Sequence, residues 1–169
     1  MIRKPDQFVN RGRMTIAETA GRDTDETEMG LGTLLRMSYQ AMIVDAVEPA
    51  LAAAGFGDVR SAHLPVIQAL TRNPEGLRAT QLAAYARITK QSMSTLVDYL
   101  DRGGYVERVA DLDDQRAKVV RLTPLGRTAS RTIRAAVRDV EDDWGRRVGP
   151  EQVEHLHAIL RELVATFER

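Results

Sequence analysis

The spacing of punctuation between residues 77 and 123 constrains this chain more than any other feature. Two stretches of helical character, Ala79–Ala86 and 89–102, are separated only by Arg87 and Ile88. A connection that short obliges two helices to pack against each other at a steep angle. Gly103 and Gly104 close the second stretch. Two runs of strand character follow, 105–109 and the β-branched, alternating Lys118–Leu122, with the polar loop 111–115 between them. Two such runs on either side of a polar loop predict a hairpin. Two helices, a tight turn and then a hairpin make a winged helix-turn-helix.

Within the second helix, Met93, Leu96, Val97 and Leu100 fall on one stripe and are expected in the core. Ala83 on the first helix is small enough to let the two cross closely. Thr89 is the expected N-cap. The face opposite the apolar stripe carries Lys90, Gln91, Ser92, Ser94 and Thr95. These side chains are short or flexible, and most both donate and accept hydrogen bonds, which is what reading base edges in a major groove requires. The helix N-terminus adds partial positive charge and free N–H groups for phosphates. The plainer alternative is a solvated face with good capping residues, although such faces are more often built from glutamate and lysine. At the hairpin tip, Arg116, with Lys118 beside it, suits an adjacent minor groove, where the potential is most negative. Asp114 is placed to orient that guanidinium or to hold the turn. An ordinary exposed ion pair is the competing account of these residues.

The flanks are helical. Leu31, Leu34, Leu35, Met42, Ala46, Val47, Ala50 and Leu51 predict a long helix over 29–54, bent by Pro49 and ended by Gly55 and Gly57. Ser61 is the expected cap of a helix running to Arg72, and residues 73–76, Asn-Pro-Glu-Gly, break the chain. Thr123 and Pro124 together start a helix expected to run to Trp144, with an interruption over 145–149. Pro150 starts a last helix ending near Phe167. Residues 1–28 carry no sustained periodicity and read as a polar tail. Their charge is split, +3 over residues 1–13 and −4 over 15–28.

The chain of 169 residues has no net charge, which argues against a protein coated in nucleic acid. Its cations are nevertheless placed unevenly. Residues 78–127 hold nine against six carboxylates, whereas 128–169 hold seven against eight. Positive charge is therefore concentrated in the helix-turn-helix and hairpin. The absence of cysteine removes disulfides, thiolate metal sites and thiol redox sensing. His155 and His157, two apart on a helix, point to different faces and make poor joint ligands, so no metal is expected. There is no nucleophile elbow, phosphate loop or cofactor fingerprint, so neither an enzyme nor a cofactor is expected. The N-terminus lacks an apolar segment of signal type and no run is long enough for a membrane span, so a cytoplasmic protein is expected.

The hairpin carries a further pattern. Asp114-Gln115-Arg116, followed by Val120-Arg121-Leu122-Thr123-Pro124-Leu125-Gly126, resembles the wing of the MarR family, a D-x-R followed by a strand and L-T-x-x-G. Ile88-Thr89-Lys90-Gln91-Ser92 and Leu100-Asp101-Arg102-Gly103-Gly104-Tyr105-Val106-Glu107-Arg108 are similar to that family too. The likeness extends from Met29 to the C-terminus. It implies a mainly α protein with a small β-hairpin wing, built as a winged helix-turn-helix DNA-binding lobe (61–123), a connecting helix (124–144) and a dimerisation lobe of first and last helices (29–60 and 145–169). It implies a homodimer on a pseudo-palindromic duplex, with Thr89, Lys90, Gln91, Ser92, Ser94 and Thr95 towards the major groove and Arg116 towards the minor. It also implies a transcriptional regulator, a repressor relieved by a small aromatic or anionic ligand, with Tyr39 and His63 as candidate pocket residues. A core tyrosine and a capping histidine are the alternatives for that pair. An architectural or activating DNA-binding factor without an effector is the alternative for the whole. Arg78 stands where the family more often has serine or threonine.

Overall fold

The computed structural model describes residues 29–111 and 117–167. Asp114 and Arg116, and the tail over 1–28, lie outside them. The chain divides into a unit ending at Arg36 and one beginning at Met37, and the core and the helix-turn-helix belong to the second.

Helix α1 spans Leu31–Met42 and continues through a π-turn, Ile43–Val47, into α2, Glu48–Ala53. Pro49 accounts for the π-turn. It has no N–H and its ring crowds the carbonyl one turn earlier, so the helix widens just before it. The Glu48 N–H reaches back five residues to the Ile43 carbonyl. The helical pitch therefore changes just before Pro49, within the expected long helix. A 3₁₀ turn, Ser61–His63, leads into α3, Leu64–Arg72. Ser61 is not its cap. The Ser61 N–H donates to Glu48 Oε1 at 2.8 Å, and His63 Nδ1 accepts from the Arg60 N–H at 3.0 Å. The residue at the N-cap position is therefore Arg60, one residue earlier than expected, and the His63 ring reaches back to satisfy its N–H.

Helix α4, Ala79–Ala86, and helix α5, Lys90–Arg102, form the helix-turn-helix. The turn between them is possible because Arg87 adopts a left-handed conformation, with φ of 53°. Strands β1, Val106–Ala110, and β2, Lys118–Leu122, pair antiparallel with Val106 opposite Leu122 and Ala110 opposite Lys118. Leu77 adds a bridge to Val120 through two backbone hydrogen bonds of 3.0 and 2.9 Å. Gly76 permits this close approach, with φ of 104° and no room for a Cβ beside the Val120 carbonyl.

Helix α6 spans Pro124–Val148, and α7 spans Pro150–Phe167. The expected interruption over 145–149 shrinks to Gly149 alone, with φ of 100°. Gly145 is tolerated inside α6 because a single helical glycine costs only ~1 kcal/mol against alanine. The core gathers Val47, Leu51, Val59, Leu64, Ile67, Leu70, Leu82, Met93, Val97, Leu100, Val106, Ala129 and Ile133. It sits beneath the helix-turn-helix and α6, so the exposed face of α5 is borne on packed side chains. Among the described residues, no helix is long and apolar enough to cross a membrane.

Candidate nucleic-acid interface

Helix α5 divides as its sequence predicts. Met93, Val97 and Leu100 have no exposed surface and Leu96 is half-buried, while Thr89, Lys90, Gln91, Ser92, Ser94 and Thr95 are all exposed. The cap is as expected: Thr89 Oγ1 accepts from the Ser92 N–H at 3.1 Å. Its hydroxyl also pairs with that of Ser92 at 2.9 Å, and Thr95 Oγ1 donates to the Gln91 carbonyl at 3.2 Å. Among the described residues, Lys90, Gln91 and Ser94 are the three of the six whose side chains hold no such bond. They are the ones with uncommitted hydrogen-bonding groups to offer a base edge.

The remaining charges of this lobe are largely spent internally. Arg108 on β1 pairs with Asp98 and, at 3.6 Å, with Asp101, both on α5. Arg121 pairs with Glu107 across the hairpin at 2.8 Å. The Arg78 guanidinium holds Asp111 through Nε and Nη2, each at 2.7 Å. Both donors converge on Asp111 Oδ2, a charge-assisted contact stronger than a neutral hydrogen bond. It ties the end of β1 to the start of α4, so the departure at position 78 supplies a strut for the wing. Lys90 and Lys118 are exposed, and neither meets a carboxylate among the described residues. Sequence reasoning finds neither the Arg87 turn nor the Arg78 strut. An arginine at φ above zero has no sequence signal, and an ion pair spanning 33 residues cannot be read from spacing.

The junction behind α5 is tightly specified. Thr123 Oγ1 donates to the Gly104 carbonyl at 2.6 Å and accepts from the Gly126 N–H at 3.1 Å, while the Thr123 N–H donates to the Tyr105 carbonyl at 3.0 Å. A Cβ on Gly126 would lie 2.0 Å from the Tyr105 carbonyl oxygen. The threonine and glycine of L-T-x-x-G therefore lock the first turn of α6 onto the segment that leaves the recognition helix. On the other side, the Tyr105 hydroxyl donates to Asp58 Oδ1 at 2.5 Å and that of Tyr99 to the Asp58 carbonyl at 3.1 Å. Burial, then the Asp58 carboxylate, pushes the Tyr105 phenol well up from its ordinary value.

The two candidate ligand residues lie in different settings. Tyr39 is more than half exposed on α1. His63 is buried, stacked on Tyr99 with ring centroids 4.6 Å apart, and its Nδ1 is occupied by the Arg60 amide. Burial lowers its pKa, the Asp58 charge raises it, and Arg60 lowers it. This is a packed, capping histidine. Trp144 is half-buried at the α6–α7 corner, in a cleft shared with Ser38, Val148 and Leu156.

A helix-turn-helix braced by a wing, with an exposed polar face on the second helix, defines the class: a winged helix-turn-helix protein. Residues 58–117 match the model of the MarR family. The reduced form of MarR from E. coli is similar in fold, with a TM-score of 0.66 and 21% identity over 80% of this chain and 97% of that one. A variant of MepR from S. aureus bound to an oligodeoxyribonucleotide is also similar, with a TM-score of 0.55 and 20% identity over 83% and 99%. So is the MarR family protein Rv2887 of Mycobacterium tuberculosis in complex with salicylic acid, with a TM-score of 0.60 and 26% identity over 80% and 97%. Among curated proteins, none matches the chain in sequence. The fold is thus that of a winged helix-turn-helix protein, and the stretch 58–117 is similar in sequence to the MarR family.

Proposed function

We propose that this protein is a sequence-specific, DNA-binding transcriptional regulator, a repressor released by a small molecule. The observation that carries the reading is the recognition helix: its core stripe is fully buried, and its other face offers Lys90, Gln91 and Ser94 free of internal partners among the described residues. Lys118 lies exposed at the start of β2, and by the sequence reading Asp114 and Arg116, between the two strands in sequence, join it in DNA binding, with Arg116 assigned to the minor groove. The E. coli, S. aureus and M. tuberculosis relatives support the reading by family, the second by its bound oligonucleotide and the third by its bound salicylic acid.

The working form is a homodimer on a pseudo-palindromic site with half-sites roughly one helical turn apart. Leu156, Ile159, Leu163, Val164 and Phe167 support this. They recur along one side of α7 and each is at least 41% exposed, a contiguous apolar stripe that a monomer would leave in water. Binding should be tested on DNA upstream of the gene, with competitor duplex, across a salt titration. Tight, competitor-resistant binding with a steep salt slope is expected. Equal affinity for any duplex would favour an architectural factor, and no binding at low salt would remove the reading.

A further inference from the structure

Helix α4 ends on two backbone bonds, from the Ile88 N–H to the Ala83 carbonyl at 3.1 Å and from the Arg87 N–H to the Ala84 carbonyl at 3.2 Å. This pairing puts the residue after the helix in the left-handed region, which glycine enters freely and a residue with a Cβ does not. Arg87 occupies it, with φ of 53°, and among the described residues no other non-glycine residue has a positive φ. The joint of the helix-turn-helix therefore carries strain that glycine would remove. Strain of this kind persists only where the surrounding structure holds it, and it gathers at functional sites.

The Arg87 guanidinium meets no carboxylate and no hydrogen-bond partner among the described residues. Its Cζ stands over the Phe167 ring, 5.9 Å from the centroid, a cation–π contact. Phe167 is the last residue of α7, a helix that packs chiefly on α6. The contact therefore joins the far end of α7 to the joint between α4 and α5. Phe167 is 65% exposed and closes the apolar stripe assigned above to a second copy. One ring thus belongs both to the surface for a partner and to the joint that sets the recognition helix.

We propose that Arg87 is a positioning residue for DNA reading: its contact with Phe167 ties the joint of the helix-turn-helix to the helix that pairs the two copies, and so restricts the spacing of half-sites that one dimer accepts. A joint fixed to the dimerising helix holds the two copies of α5 at one separation. A joint released from it lets the dimer accept half-sites closer together or further apart. The role in spacing rests on the regulator reading, whereas the contact does not. Arg87 lies two residues before the Thr89 cap, so a backbone phosphate is the competing partner for the same charge.

The test compares the full chain with Arg87→Gly, Phe167→Leu and the double variant, each at a concentration where light scattering shows a dimer. Exchange of the Ile88 amide, followed by NMR without DNA, should be about threefold faster in Phe167→Leu. Duplexes carrying two copies of a preferred half-site, with the spacing changed by one or two base pairs, read the positioning. The full chain should prefer one spacing. Each single variant should reduce that preference about threefold with the salt slope unchanged, and the double variant no further, because both remove one contact. Arg87→Gly should not lower the thermal midpoint. Unchanged Ile88 exchange in Phe167→Leu, or an unaltered spacing preference in both single variants, would overturn the proposal. So would an Arg87→Gly protein that loses affinity and salt slope on every duplex while Phe167→Leu loses neither, which would mark a phosphate contact. Faster Ile88 exchange in a chain that binds no duplex would remove the regulator reading and leave the contact.

Discussion

Alanine at Gly126 should be far more damaging than alanine at Gly145, although both glycines lie within the same helix. At Gly126 the new Cβ would stand 2.0 Å from the Tyr105 carbonyl oxygen, 3.0 Å from its carbonyl carbon and 3.1 Å from Leu122 Cδ2. The obstacle is backbone, so no side-chain rotation relieves it. The first turn of α6 must retreat from the end of the recognition helix, and the Thr123 bonds to Gly104 and Tyr105 stretch with it. Overpacking of this kind costs ~1–3 kcal/mol or more, against a gain of up to ~1 kcal/mol in helix propensity. A net loss of about 2 kcal/mol is expected, which for a domain of this size lowers the melting temperature by roughly 4–8 °C. At Gly145 the nearest atom to a new Cβ is Pro150 Cα at 3.6 Å, an ordinary contact. There the propensity gain should stand almost alone, stabilising by ~0.5–1 kcal/mol. Paired thermal and urea melts measure both. A Gly126→Ala protein as stable as Gly145→Ala would refute the assignment of the junction.

Met93→Ala, which empties a fully buried site beneath the recognition face, should cost ~2–5 kcal/mol in urea unfolding. His63 has a lowered pKa in the folded state, so its protonation favours the unfolded chain. Stability should be full above the unfolded value of ~6.5 and decline as pH falls from there through the folded value. Urea midpoints across that range, compared with His63→Gln, isolate the effect, and an unchanged profile in the variant would assign it elsewhere. Lys90→Ala should weaken binding and, by removing a cation from the interface, reduce the salt slope by ~1, whereas Gln91→Ala should relax preference at one base pair and leave the salt slope unchanged. Anisotropy titrations on a panel of single-base variants separate the two.

The helix-turn-helix is legible in the sequence because its signals are local: a two-residue gap, a capping threonine and an apolar stripe each lie within one turn of what they specify. The strand β2 and the starts of α4, α6 and α7 are legible for the same reason. Ser61 misleads as a cap because the turn begins one residue earlier, at Arg60, whose N–H is held by the His63 ring while the Ser61 N–H is taken by Glu48. Gly145 misleads as a break because glycine only weakens a helix, and α6 draws its stability from packing against the π-turn, α2, α3 and α7. The strut from Arg78 to Asp111 and the contact of Arg87 with Phe167 join residues far apart in sequence, where spacing carries no signal.

The most direct test of DNA recognition is selection of bound duplexes from a random library by the purified protein, followed by sequencing. Enrichment of a pseudo-palindrome with half-sites roughly one helical turn apart is predicted, with the preference weakened at defined positions by Gln91→Ala and Ser94→Ala. Recovery of the input distribution, with no preferred sequence at any salt concentration that permits binding, would contradict sequence reading by α5.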